Sequence, residues 1–161
     1  MATSLEDLRV LREAEAVADE IWQQVVRWDS FAREVLGGQL ARAADSIGAN
    51  VAESFGRFHY GEKLNFLYYA RGSLFETKYW LNRALARNLM SSDEVKQCAS
   101  RLTDVARQLN AFARSLKAQR RGSSKRSTAV REAASEYSAD DTQIPLFTEA
   151  ELEWLETVPN P

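Results

Sequence analysis

Residues Leu36–Leu89 read LGGQLARAADSIGANVAESFGRFHYGEKLNFLYYARGSLFETKYWLNRALARNL, and this stretch decides the fold. Leu36, Leu40, Ala43, Ile47, Val51 and Phe55 recur at three and four residues, the period of one helix face, and Gly56 is placed to end that helix. After Gly61 the period resumes with Leu64, Leu67, Leu74, Leu81 and Leu85. Two long amphipathic helices joined at Gly56–Gly61 follow. Polar residues (Asn50, Glu53, Arg71, Glu76) stand where a plain bundle would use leucine, and Tyr68, Tyr69, Tyr79 and Trp80 widen the apolar surface of the second helix beyond what one core covers.

Working outward, Leu11, Ala14, Ala18, Ile21, Val25 and Trp28 follow a 3,4,3,4,3 rhythm, which predicts a first helix over about Leu5–Trp28 with Ser4 and Asp7 as its capping box. Gly37–Gly38 allow a break or bend before the second helix. Val95, Cys98, Leu102, Val105, Leu109, Phe112 and Leu116 continue the rhythm behind a capping box at Ser91 and Glu94. Short links favour antiparallel neighbours. The predicted fold is all-α, an antiparallel up-down four-helix bundle over residues 4–120. A flexible linker, basic then acidic, fills 121–142, and an acidic tail with a short interaction motif fills 143–161.

Composition narrows the function classes. The 161 residues carry a formal net charge of −2, but residues 1–131 hold all 21 Lys and Arg, while residues 132–161 hold eight of the 23 acids. One cysteine, Cys98, cannot make an internal disulfide and favours a reducing, cytoplasmic setting. The first residues lack a signal-peptide pattern, and no apolar run approaches the ~20 residues of a membrane span. His59 is the sole histidine, so neither a di-iron helix pair nor a zinc site can be assembled, and no phosphate-binding loop or nucleophile elbow occurs. No enzyme, metal or cofactor is expected, and Cys98 reads as a small core hydrophobe.

Arg42, Ser46, Asn50, Glu53 and Arg57 share one face of the second helix; Arg71 and Lys78 fall in the leucine phase of the third. Arg42, Arg57 and Lys78 read as solvated. Asn50, Glu53, Arg71 and Glu76 read as a buried or interfacial polar network in which Arg71 meets Glu53 or Glu76, because an unpaired buried charge costs several kcal/mol.

The run Gln39-Leu40-x-Arg42-Ala43-Ala44-x-Ser46-Ile47-x-Ala49-Asn50-Val51-Ala52-Glu53, then Gly56-Arg57, resembles the core motif of a known four-helix-bundle family. So does Phe66-Leu67-x-x-Ala70-Arg71-Gly72-Ser73-Leu74-x-Glu76. The family is that of proteins encoded in 23S rRNA intervening sequences, and its relatives include the accessory variability determinant of diversity-generating retroelements. The resemblance covers about residues 5–118 and implies an antiparallel bundle assembling as a homopentameric barrel. For the retroelement branch it implies binding of nucleic acid and of a reverse transcriptase. Gly48 stands where the family has proline, Ser54 where it has glycine, and Asn65 and Tyr68 where basic residues are common.

Two further features bear on partners. Arg107, Arg114 and Arg121 lie seven apart on the fourth helix, joined by Lys117 and followed by Arg120, Lys125 and Arg126. They are candidate phosphate contacts, or a solvated face whose charge balances the acids of the first helix or of the tail. Gln143-Ile144-Pro145-Leu146-Phe147 resembles the pentapeptide by which bacterial replication proteins grip the DNA sliding clamp, with Leu152 and Leu155 behind it on a short capped helix. The same apolar residues could instead dock on the bundle or on a neighbouring protomer. Two functions therefore stand open: an oligomeric scaffold for nucleic acid, and an adaptor whose tail recruits a partner.

Overall fold

The structure, a computed structural model, describes residues 8–126 and 144–160, with the backbone alone for 123–126. Helix α1 is Arg9–Val25. Ser30–Ala32, Arg33–Gly37 and Gly38–Gly56 run on as one rod, α2, whose middle segment is π-wound. Helices α3 (Tyr60–Ala86), α4 (Ser92–Arg126) and a short α5 (Glu149–Glu156) follow. Each of α1–α4 packs on the next, and α4 closes the ring on α1. With links of only a few residues, consecutive rods must reverse direction, so the helical bundle is antiparallel.

The residues that give the rods their rhythm fill the core. Ala14, Ile21, Leu40, Ile47, Val51, Leu67, Leu74, Leu81, Val95, Leu102 and Leu109 are wholly or almost wholly buried. Each large aliphatic is worth roughly 1.5–3 kcal/mol of burial. Cys98 lies among them, and burial pushes its thiol up to about 12, so it behaves as a hydrophobe.

Local chemistry sets the helix ends. Asp29 caps α2 by accepting from the Ala32 amide at 3.0 Å. The Ser54 hydroxyl donates to the Lys63 carbonyl at 2.8 Å, clasping the α2–α3 turn, a use of the side chain that glycine could not supply. Asn88 adopts φ 56° and ends α3 in a Schellman motif, with Leu89 N–H bonding to Ala84 and Asn88 N–H to Leu85. The Ser91/Glu94 capping box opens α4, and its backbone and hydroxyl hydrogen bonds hold the Glu94 carboxyl below the usual carboxylate range.

Three expectations change. The first helix stops at Val25, and Trp28 reaches the core from the turn. Gly37–Gly38 do not break the second helix. Gly37 serves close packing, since a Cβ there would lie 2.6 Å from Val25 Cγ1. Gly48 is buried within the rod beside Leu11 and Ala14. Finally, α4 runs through Gly122 to Arg126, past the expected start of the linker. The Ser4–Asp7 cap and the remainder of the linker lie outside the described residues.

Candidate functional site

Residues 144–160 lie across the bundle in a groove between α3 and α4. Leu146, Phe147, Leu152 and Leu155 are all buried there. Phe75 of α3 forms the floor: its ring stacks on Phe147 at 5.7 Å and meets Trp154 at 5.6 Å. The tail thus covers Phe75, while Tyr68, Tyr69 and Tyr79 of α3 remain exposed.

The polar contacts of the groove mostly read tail backbone. Asn110 of α4 takes both groups of Phe147, its Nδ2 donating to the carbonyl at 2.8 Å and its Oδ1 accepting from the amide at 2.7 Å. Arg71 Nε donates to the Leu146 carbonyl at 2.7 Å, and Lys117 Nζ to the Ile144 carbonyl at 3.0 Å. Lys78 Nζ donates to the Thr157 carbonyl. The ligand segment carries its own order: Thr148 and Glu151 form a complete capping box at the start of α5.

Charge sharpens the fit. Arg71 pairs with Glu151 and lies over the rings of Phe75 and Phe147. Burial pushes the Glu151 carboxyl up, but the Thr148 amide and hydroxyl and the Arg71 guanidinium outweigh it and hold it below the usual range. Arg107 lies 3.6 Å from Glu156. Lys78 is fully buried, and that desolvation lowers its pKa to about 8.

The expected polar network is therefore redistributed. Arg71 meets neither Glu53 nor Glu76 but the tail, 80 residues away along the chain. Glu53 pairs with Arg57 one turn on, where both are partly solvated. Glu76 accepts from Trp80 Nε1 at 3.3 Å, and Asn50 Nδ2 donates to the Ser46 carbonyl at 2.8 Å and the Ser73 hydroxyl at 3.4 Å. Lys78, read as solvated, is buried because its four-carbon stem packs beneath the tail while its ammonium finds a carbonyl. Arg42 is exposed, as expected. Asn110, Phe75 and Trp154 carry no signal in the sequence, since no periodicity marks a side chain whose partner is distant in the chain.

Arg107, Arg114, Arg120 and Arg121 are exposed on α4, with Lys117 half-buried under the tail's start. Lys125 and Arg126 are in the last turn of α4; their side chains and Gln143 lie outside the described residues. Tyr69 and Tyr79 of α3 are exposed, at 58% and 53%, and Trp80 is half-buried against the core. Among the described residues no group of three or more His, Cys, Asp or Glu is placed to hold a metal, and no helix is long and apolar enough to cross a membrane.

No curated protein matches the chain. A family profile does, over residues 6–111, which spans α1 to the middle of α4 and includes the groove residues Arg71, Phe75, Lys78 and Asn110 but neither Arg114–Arg126 nor the tail. With most of its bundle matched, the chain belongs to the family described as 23S rRNA-intervening sequence protein.

Proposed function

We propose that the protein is a non-enzymatic, cytoplasmic scaffold. It assembles with copies of itself and holds nucleic acid along the outer end of α4, presenting it to a replicative or reverse-transcribing partner as retroelement accessory proteins do. The observation that carries this reading is the row of exposed guanidinium groups, Arg107, Arg114, Arg120 and Arg121, beyond which α4 adds Lys125 and Arg126. Positioned positive charge supplies most non-specific affinity for phosphate, and repetition around an oligomer multiplies it. Exposed Tyr69 and Tyr79 support self-assembly, since such rings anchor interfaces.

The test is the salt dependence of binding to RNA and DNA oligonucleotides. Replacing Arg114, Arg120 and Arg121 by Gln should reduce the slope of log affinity against log salt by about 2–3. An unchanged slope would overturn the nucleic-acid reading. Light scattering should give about five times the 18.2 kDa chain mass, and a monomer at micromolar concentration would remove the assembly.

The adaptor reading, with Gln143–Phe147 gripping a sliding clamp, requires the tail to leave its groove, because the pocket of such a partner would take Leu146 and Phe147. Deleting residues 143–161 separates the two. Loss of clamp capture would favour the adaptor, and tighter nucleic-acid binding would mark the tail as a competitor for α4.

A further inference from the structure

Arg107, Asn110, Arg114, Lys117 and Arg121 follow one another along α4 at spacings of 3, 4, 3 and 4, so they share one face of that helix. The tail lies on the same face. Lys117 Nζ donates to the Ile144 carbonyl at 3.0 Å, Asn110 holds both backbone groups of Phe147, and Arg107 is 3.6 Å from Glu156. The docked segment thus runs along the stripe from Lys117 back to Arg107, and its contacts bracket Arg114 on both sides. Two of the candidate phosphate contacts, Arg107 and Lys117, are engaged by the chain's own tail.

Charge makes the overlap antagonistic. Residues 144–160 carry Glu149, Glu151, Glu153 and Glu156 and no Lys, Arg or His. All four carboxylates sit on the eight-residue helix α5, with Glu149 and Glu153 exposed. Docked beside Arg107, they oppose an approaching phosphate backbone over the ~10 Å screening length of ordinary salt. What holds the segment down is chiefly apolar, through Leu146, Phe147, Leu152 and Leu155, so it stays closed in the absence of nucleic acid. The same docking leaves Leu146 and Phe147, the pair that the clamp-like pentapeptide would offer to a partner, only 3% and 1% exposed.

We propose that the segment 144–157 is an autoinhibitory cover. It and nucleic acid exclude one another from the Arg107–Lys117 face of α4, so nucleic-acid binding releases the tail and uncovers Leu146 and Phe147. The inference rests on the reading that α4 binds nucleic acid, and adds the regulation of that site. The coupling is reciprocal: the factor by which docking weakens nucleic-acid affinity is the factor by which nucleic acid weakens docking.

Two variants loosen the tail of the full-length chain without altering any charge. Phe147→Ala removes the ring stacked on Phe75, and Asn110→Ala removes the two hydrogen bonds to residue 147. Fluorescence anisotropy with labelled RNA and DNA oligonucleotides reads affinity, and hydrogen exchange at Leu152–Glu156 reads docking. Both variants should bind about three- to tenfold tighter than the unaltered chain, because a larger fraction of molecules is open to the ligand. Saturating oligonucleotide should speed exchange at Leu152–Glu156 in the unaltered chain by a similar factor. Equal affinities in all three chains, with tail exchange indifferent to oligonucleotide, overturn the cover and leave the nucleic-acid reading standing. Tail exchange that slows on binding overturns the cover as well. If neither the unaltered chain nor the variants bind either oligonucleotide, the nucleic-acid reading falls and the cover falls with it.

Discussion

The bundle and the tail are built on opposite principles. In α1–α4 apolar side chains pack on apolar side chains, and almost every polar group that matters serves a helix end, as Asp29, Ser54, Asn88 and Ser91 do. The tail rests on a few apolar anchors, and bundle side chains hold its backbone through Asn110, Arg71, Lys78 and Lys117. The first arrangement is cooperative and permanent. The second adds Leu146, Phe147, Leu152 and Leu155 to the edge of that same core, and its contacts are expected to open before the rods melt.

The largest effect that separates the two regions comes from the core. Leu102→Ala, at a fully buried position, should lower the unfolding free energy by about 3–5 kcal/mol in chemical denaturation, with all helices lost together. Phe147→Ala removes comparable apolar surface, yet its cost is capped at the free energy of docking. Circular dichroism should show α1–α4 intact while proteolysis within residues 144–160 accelerates. A loss of the whole bundle would erase the distinction.

Smaller changes sharpen it. Asn110→Ala removes two hydrogen bonds to Phe147 and should weaken docking by about 1–3 kcal/mol, read as faster tail proteolysis with an unchanged core midpoint. The pH response is set by groups in the groove. Lys78 has its pKa lowered to about 8 against an ordinary 10.5, so between those values the unfolded chain keeps a proton that the folded chain has released. Its contribution therefore makes stability rise with pH across that window, and Lys78→Met should flatten the rise. Glu151 works from the other side. Its lowered pKa gives stability that is present above the ordinary carboxyl value and lost as pH falls through the folded one, so acid should release the tail. The smallest effect is at Gly122, exposed inside α4, where a Cβ meets nothing within 4 Å. Gly122→Ala should stabilise the last turns of α4 by no more than about 1 kcal/mol, measured by thermal melting, without touching the tail.

The same contrast explains what could be read from the residues. Leu11, Ala14, Ala18, Ile21 and Val25 announce their burial by spacing, because every rod repeats its exposure each 3.6 residues. The Thr148/Glu151 capping box and the apolar weight of Leu146 and Phe147 were equally plain, since both are local. The groove was not. Helix spacing pairs Arg71 with Glu53 or Glu76 on the facing stripes of the bundle, whereas its partner lies 80 residues on. Lys78 looked solvated because periodicity cannot show what covers a helix face. Asn110 was invisible because it recognises peptide groups, which every residue possesses.

Native-state hydrogen exchange on the full chain tests the two-region account most directly. Amides of Leu152–Glu156 should exchange slower than in a free peptide of the same sequence, yet faster than those around Leu74 and Leu102, and Asn110→Ala should erase the tail's protection while the core keeps its own. Tail amides that exchange at free-peptide rates in the unaltered chain, or that exchange in step with the core, would contradict it.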